Sequence, residues 1–246
     1  MVRSVYLVKA LEALLAEEQG LVAEMERCQH RSAAVAKDTE EVDEQQQQRF
    51  RQSKRKIEEQ LHSVRKRQNS AVGSIAAAVT AAFPVLHALC IGPGLGRHPL
   101  VFAAVERVMH TAMESNLTLV LDGDALFMLS LEKYSSLLDL LQGYDRCVIT
   151  PNLMETRRLD AEVHGESKVA TARKSEGQCR HIVVQKGRVD TIQHLGQTMQ
   201  CKEEGGLKRS GGTGSVLAGT IAAFMAWHVI LEQEMLGGSS ESSVGE

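Results

Sequence analysis

The sequence predicts an α/β protein in which helices flank a mostly parallel sheet and a long helical extension precedes it. Two observations lead to this prediction. Residues 1–70 contain one glycine, Gly20, and no proline, and they are rich in Glu, Gln, Lys, Arg and Ala. From about Leu86 the chain instead repeats a short apolar run, a polar or glycine-containing turn and a helical pattern. That repeat is typical of parallel strands joined by helical crossovers.

The N-terminal extension is expected to form one or two long helices, because its apolar residues follow an imperfect heptad repeat. A weak coiled-coil seam of this kind offers self-association as one role for the extension. The basic cluster at 49–67 fits either a solvated helix face or a contact with RNA, and we favour the solvated face. The apolar positions are Leu7, Leu11, Leu14, Leu21, Met25, Cys28, Val35 and Val42, followed out of register by Ile57, Leu61 and Val64.

The second part of the chain is expected to supply the sheet, and most of its strand candidates are followed by polar or glycine residues. Ligands of open α/β sheets bind at the carboxyl ends of the strands. Helices are expected from Pro99 to about Glu114, after Asp124, up to about Leu159, and over the apolar run 220–230. The predicted strands are Leu86–Ile91, Leu117–Leu121, Arg146–Thr150, His181–Gln185, the returning hairpin strand Val189–His194, and Gln197–Lys202.

Composition and charge bound the partners and the compartment. The predicted division is a helical extension over 1–70, an α/β domain over 71–236 and a disordered tail over 237–246. The net charge of −3 gives no general attraction to nucleic acid or to an anionic membrane. No run is expected to cross a bilayer. The five cysteines are scattered and form no C-x-x-C pair, so we expect reduced thiols and a cytoplasmic location.

Two motifs at strand ends are ambiguous when each is taken alone. The glycines of Gly92–Arg97 would let a ligand approach the backbone, or they would make a tight turn before a helix. Asp122 and Asp124 follow a buried strand as either ligand-binding carboxylates or helix N-caps, and we favour the caps.

The next strand is followed by Asn152 and Glu155, which are spaced to share one face of a first helical turn. Their oxygens could hold Mg²⁺ beside phosphate groups, or the pair could cap the helix. Lys186 and Gly187 fit either a nucleotide contact or a hairpin turn.

The glycine-dense segment Gly205–Gly219 precedes the last helix. Free N–H groups and the positive end of the helix dipole would meet there, and Lys208 and Arg209 add positive charge. The segment is therefore predicted to bind phosphate.

Five blocks in this order resemble the ADP/ATP-dependent NAD(P)H-hydrate dehydratase family, which has the ribokinase-like carbohydrate kinase fold. The resemblance runs from about Leu86 to about Leu231 and is closest to the eukaryotic, ATP-using branch. The blocks are LHALCIGPGLGR, LVLDGDAL, VITPNLMETRRL, VVQKGRVDTI and GGLKRSGGTGSVLAGTIAAFMAW.

The resemblance implies that 71–236 is a partial ribokinase-like nucleotide-binding domain. It implies a reaction in which S-NADHX or S-NADPHX and ATP give NADH or NADPH, ADP and phosphate, with Mg²⁺ helping to stabilise the transferring phosphoryl group. It implies that the hydrated cofactor is bordered by Gly94, Asn152, Leu153, Met154, Glu155, Thr156, Arg157, Arg158 and Ser215. It implies that ATP is held by Lys186, Gly187, Arg188, Val189, Asp190, Gly205, Gly206, Leu207, Lys208, Arg209, Ser210, Gly211, Gly212, Thr213 and Gly214.

Two departures from the family pattern predict impaired catalysis. Ser215 occupies the position of the aspartate that takes the proton from the substrate hydroxyl, and a serine hydroxyl is not basic at neutral pH. Asp122 and Asp124 are the candidates to replace that aspartate, although the sequence does not show that either reaches the substrate. The opening blocks of the family are absent from residues 1–70, so either the N-terminal helices or a partner covers the sheet edge that this leaves, or the chain is an incomplete version of the domain. Two alternatives therefore stay open, namely a different small-molecule kinase of the ribokinase-like class, and a non-catalytic nucleotide-binding or coiled-coil scaffold.

Overall fold

A computed structural model of the chain describes residues 2–38, 44–161, 180–206 and 210–237. The chain divides into two compact units, Met1–Ile75 and Ala76–Glu246. The first helix and most of the second belong to the first unit, and the whole sheet belongs to the second. The proposed tail, apart from Gly237, lies outside the described residues.

The first unit consists of two helices that run antiparallel. Helix α1 spans Val2–Asp38 and helix α2 spans Glu44–Thr80, so α2 continues through the predicted boundary at residue 70. The direction follows from paired contacts, since Arg67 contacts Glu17 at 2.5 Å and Arg65 contacts Glu18 at 2.8 Å. The predicted helical extension is confirmed. Its described side chains place Leu11, Ile57, Val64 and Val72 among the buried apolar residues.

The second unit is built on one six-stranded sheet in which the strands are neighbours in sequence order. The first four strands are parallel and the last two add as an antiparallel hairpin. The α/β class with a mostly parallel sheet is therefore confirmed. The strands are β1 (Ala88–Ile91), β2 (Thr118–Leu121), β3 (Cys147–Ile149), β4 (Ile182–Gln185), β5 (Asp190–His194) and β6 (Gln197–Cys201).

The described helices of this unit are α3 (Pro99–Glu114), α4 (Asp124–Leu129), α5 (Ser135–Gln142), α6 (Leu153–Ala161) and α7 (Thr213–Gly237), with short 3-10 turns at Phe83–Val85 and Glu132–Tyr134. These helices lie on both faces of the sheet, as the alternating side chains of β2 show. Leu119 and Leu121 belong to the larger apolar core with α3, α4 and α5. Val120 points to the opposite face and packs with Ala218 of α7.

Helix α7 corrects one prediction from the sequence. Thr213–Met235 has a mean hydropathy of 1.7 and is long and apolar enough to cross a membrane, so the expectation that no run could do so was wrong. One helix of this kind is weak evidence for a membrane span, because a core helix passes the same test. Here α7 packs on β1 and β2 with one face. Its other face leaves Phe224 and Trp227 more than half exposed.

Candidate functional site

The loop after β1 is held closely against the end of β2. Gly92 has a φ of 122°, and a Cβ at this position would lie 1.7 Å from the carbonyl oxygen of Asp122. Asp124 holds the same loop in place through two contacts. Its Oδ2 accepts a hydrogen bond from the Gly96 N–H at 3.0 Å, and its Oδ1 pairs with the Arg97 guanidinium at 3.0 Å. The glycine motif therefore forms a turn that passes directly over the strand end. Gly94 is exposed in this turn with a φ of 65°.

Asp122 is buried at the centre of the carboxyl ends of the strands. Its Oδ1 accepts a hydrogen bond from the Thr150 hydroxyl at 2.8 Å and pairs with the Lys186 ammonium. Asp122 follows β2, Thr150 follows β3 and Lys186 follows β4, so the cluster joins three adjacent strands. The Asp122 carboxylate also affects Cys90 of β1. The pKa of the Cys90 thiol is raised mainly by burial and further by the negative charge of Asp122.

The expectation that Asp122 and Asp124 cap a helix was wrong. The N-cap of α4 is Gly123, with a φ of 53° and no side-chain hydrogen bond to the cap. Asp122 instead binds across the sheet, and Asp124 binds back to the glycine loop. The two carboxylates point to different partners because Gly123 turns the chain between them.

Asn152 and Glu155 form a reciprocal cap at the start of α6. Asn152 Oδ1 accepts from the N–H groups of Met154 at 2.9 Å and Glu155 at 3.0 Å, while Glu155 Oε2 accepts from the Asn152 N–H at 2.8 Å. This is the capping box. The Asn152 oxygen already accepts two hydrogen bonds, so it does not fit as a magnesium ligand. Glu155 Oε1 is the oxygen of this pair that could still face a cation.

The segments predicted to bind the hydrated cofactor and ATP lie side by side. Asn152 forms a parallel bridge with Lys186, whose N–H donates to the Pro151 carbonyl at 2.8 Å. A cavity of about 520 Å³ opens above this bridge. Its volume falls in the usual range for small-molecule sites, about 300–1,000 Å³. The lining residues are Asn152, Leu153, Met154, Arg158, Lys186, Gly187 and Arg188.

The turn after Lys186 is shaped by two backbone constraints. Asp190 Oδ1 accepts from the Gly187 N–H at 2.8 Å, and a Cβ on Gly187 would lie 3.0 Å from the Val189 carbonyl oxygen. The turn therefore places Lys186, Gly187 and Arg188 along the cavity. Asp190 does not line the cavity and stabilises the hairpin through its hydrogen bond to Gly187. The hairpin turn that the sequence allowed for Lys186-Gly187 is present in the fold, and both residues also line the cavity. The nucleotide contact stays a prediction.

The start of α7 meets the buried ion pair. Gly212 takes a φ of 86° and its carbonyl accepts from the Val216 N–H, so the helix begins directly after it. A Cβ on Gly214 would lie 3.4 Å from Lys186 Nζ and 3.9 Å from Asp122 Oδ2. Ser215 is exposed in the first turn. The predicted ATP-binding residues Leu207, Lys208 and Arg209 lie outside the described residues.

Comparison with known proteins identifies the family. The family model described as NAD(P)H-hydrate dehydratase, of the carbohydrate kinase class, matches residues 48–243. The chain belongs to the NAD(P)H-hydrate dehydratase family. The match begins inside α2, earlier than the resemblance that starts near Leu86, and the family predicted from the five blocks is confirmed.

Members of this family with similar sequences come from fungi and animals. Three relatives are named ATP-dependent (S)-NAD(P)H-hydrate dehydratase. The chain is 37% identical to the Neurospora crassa protein over 164 residues, which are 62% of this chain and 45% of that protein. The identity to the Pongo abelii protein is 34%, over 64% of this chain and 48% of that protein. For the Homo sapiens protein the values are 32%, 64% and 46%.

The chain spans about half the length of these curated relatives. Among solved structures it is similar to a ribokinase-like superfamily protein from Enterococcus faecalis V583, with 28% identity and a TM-score of 0.46. That similarity covers 57% of this chain and 47% of the solved chain.

The fold brings together a subset of the residues that the family resemblance selects, with seven of them lining the cavity. The cavity joins the predicted cofactor and ATP segments, and Gly214 reaches Lys186 from α7. Gly94 does not line this cavity, and Thr156 is buried, with its hydroxyl donating to the Asn152 carbonyl. Thr150 was missed. Its position directly before Pro151, at the end of a strand like Asp122, was the available signal.

Proposed function

We propose that this chain carries out ATP-dependent dehydration of S-NADHX and S-NADPHX to NADH and NADPH. The observation that supports this most directly is the cavity that the Asn152–Arg158 and Lys186–Asp190 segments line together. The family resemblance assigns the first segment to the hydrated cofactor and the second to ATP. Reaction between the two ligands requires their sites to be adjacent, because phosphoryl transfer depends on close positioning.

The charges of the site suit a phosphorylated ligand. Arg158 and Arg188 line the cavity from opposite segments, and both are exposed. Lys186 stands between the cavity and the start of α7, where unpaired N–H groups favour anions. We assign the nucleotide phosphates to this end of the cavity, together with the glycine segment Gly205–Gly214.

In the proposed reaction, the hydroxyl of the hydrated nicotinamide ring attacks the terminal phosphorus of ATP, and ADP leaves. The phosphate then departs from the ring with the carbon–oxygen electron pair, and the ring double bond is restored as the adjacent carbon gives up a proton to water. Magnesium would supply charge neutralisation for the ATP phosphates, with the Glu155 carboxylate as its candidate ligand. We place the reaction in the cytoplasm, in keeping with the cysteines Cys28, Cys90 and Cys201, which form no disulfide bond.

The test is product balance with the purified full chain, S-NADPHX, ATP and magnesium. The proposal predicts NADPH, ADP and phosphate in equal amounts, with no NADPH when ATP is omitted. A phosphorylated product that accumulates from another small hydroxylated compound, without NADPH from S-NADPHX, would favour a different ribokinase-like kinase. Failure to bind ATP at all would favour the scaffold alternative, for which α1 and α2 are the candidate assembly segment.

A further inference from the structure

We propose that Asp122 Oδ2 accepts the proton of the substrate hydroxyl, in place of the aspartate that the family pattern predicts where this chain has Ser215. The inference rests on the proposed function, because it names the base of that reaction. It addresses a specific chemical gap, since phosphorylation of a hydroxyl needs a proton acceptor and the Ser215 hydroxyl is not basic at neutral pH.

The position of the carboxylate supports this role. Among the described residues, the hydrogen bonds to the Asp122 side chain both arrive at Oδ1, from Thr150 and Lys186. Two fixed donors on one oxygen set the orientation of the carboxylate. Oδ2 then faces the start of α7, where it would lie 3.9 Å from a Cβ on Gly214. The carboxylate therefore reaches the helix position directly before Ser215 from the strand side.

Lys186 makes the same point suitable for phosphoryl transfer. Its Nζ would lie 3.4 Å from a Cβ on Gly214, so the ammonium and the Asp122 carboxylate face one position on α7. The absence of a side chain at Gly214 is what leaves room for them. An ammonium at this position would stabilise the negative charge of the transferring phosphoryl group, while the neighbouring carboxylate accepts the proton.

The step balances with these groups alone. The substrate oxygen forms a bond to the terminal phosphorus of ATP, and the bond from that phosphorus to the bridging oxygen breaks with its electron pair on ADP. The hydroxyl proton moves to Asp122 Oδ2, and the acid later returns it to water. Asp124 is not available for this task, because both of its oxygens hold the loop at Gly96 and Arg97.

The experiment compares four full-length proteins in the NADPH-forming assay: wild type, Asp122→Asn, Ser215→Asp and the double variant. We expect Asp122→Asn to lower kcat by a factor on the order of 10²–10⁴ with a smaller change in ATP affinity. Ser215→Asp should restore most of that kcat in the double variant, which a purely structural role of Asp122 would not allow. Asp145→Asn is the matched control, since Asp145 is an exposed carboxylate paired with Arg180.

A further variant guards against misfolding. Asp122→Glu keeps the negative charge beside Lys186 but moves the carboxylate, so it should reduce kcat while the protein remains folded at the assay temperature, which a thermal melt checks. Wild-type kcat in folded Asp122→Asn or in Asp122→Glu would overturn the inference and leave the proposed function standing. So would a silent wild type beside an active Ser215→Asp. Silence in both wild type and Ser215→Asp would instead contradict the proposed function itself.

Discussion

Gly92 and the backbone carbonyl of Asp122 are in such close contact that no side chain fits between them. A Cβ on Gly92 would lie 1.7 Å from that oxygen, and the φ of 122° is itself one that L residues rarely adopt. The contact seats the first loop on the strand that carries Asp122. The two residues thereby fix how the first loop lies against the carboxyl end of β2.

The substitution Gly92→Ala should therefore disrupt the fold around β1 and β2. The backbone conformation alone costs about 1–3 kcal/mol in the free energy of unfolding, and the clash adds to it. Gly94→Ala is the control, because Gly94 also has a positive φ but has open space around it. It should cost about 1–2 kcal/mol. Denaturant unfolding measures both, and equal losses would contradict the role given to the Asp122 contact.

The ion pair between Asp122 and Lys186 predicts a coupled loss of stability. Both side chains are largely buried, and Lys186→Met would leave the carboxylate without its counter-charge. The expected loss in the free energy of unfolding is about 3–5 kcal/mol. The double variant Asp122→Asn, Lys186→Met should lose less than the sum of the two single variants, because the charge is removed with its partner. Additive losses in denaturant unfolding would show that the two groups do not interact.

His181, buried at the entrance to β4, predicts a loss of stability in acid. Desolvation lowers the pKa of its imidazole from 6.5 to about 4, and the nearby His194 acts in the same direction. Between these pH values the unfolded chain binds a proton that the folded chain does not. The free energy of unfolding should therefore fall as the pH drops from about 6.5 towards 4, by up to roughly 3 kcal/mol, and be unaffected above that window.

The measurement is urea unfolding at a series of pH values for wild type, His181→Gln and His62→Gln. His181→Gln should lose the acid-dependent part of the curve, while His62→Gln, which changes an exposed histidine of α2, should keep it. Identical pH curves for wild type and His181→Gln would show that His181 is not buried in its neutral form.

An alanine-to-leucine substitution should affect the free energy of unfolding much more on the buried face of α7 than on its exposed face. Ala218 is fully buried against the sheet, where it packs with Val120, Val148 and Val184. Ala218→Leu should overpack this layer and cost about 1–3 kcal/mol in the free energy of unfolding. Ala223 lies exposed on the same helix, and Ala223→Leu should change stability by less than about 0.5 kcal/mol. Thermal melts would contradict the observed packing if the two variants behaved alike.

The sequence was sufficient to predict the local elements, because their signals lie within a few residues. The helix expected from Pro99 to about Glu114 has those bounds in the fold, since His98 caps it and Pro99 begins it. The helix expected over 220–230 begins earlier, at Thr213. Gly214 and Gly219 lie inside it, and packing on the sheet outweighs the weak helix propensity of glycine.

The arrangement of the site could be predicted only in part. Asn152 and Lys186 lie side by side at the carboxyl ends of two strands, the edge of the sheet where the sequence analysis expected ligands to bind. The sequence could not predict which side chains contact each other, because residues such as Asp122 and Lys186 are 64 residues apart in the chain. For Asn152 and Glu155, a cap and a metal site require the same spacing. Hydrogen-bond geometry, which the spacing does not contain, shows that the cap is formed.

If one site at the carboxyl ends of the strands takes both ATP and the hydrated cofactor, hydrogen exchange of the full chain will show it. Exchange would be compared for the free protein, with ATP and magnesium, and with S-NADPHX added. We expect ATP to slow exchange at 186–190 and 210–215 and S-NADPHX to add protection at 152–158, with α1 unchanged. No protection at these segments, or protection confined to other parts of the chain, would contradict it.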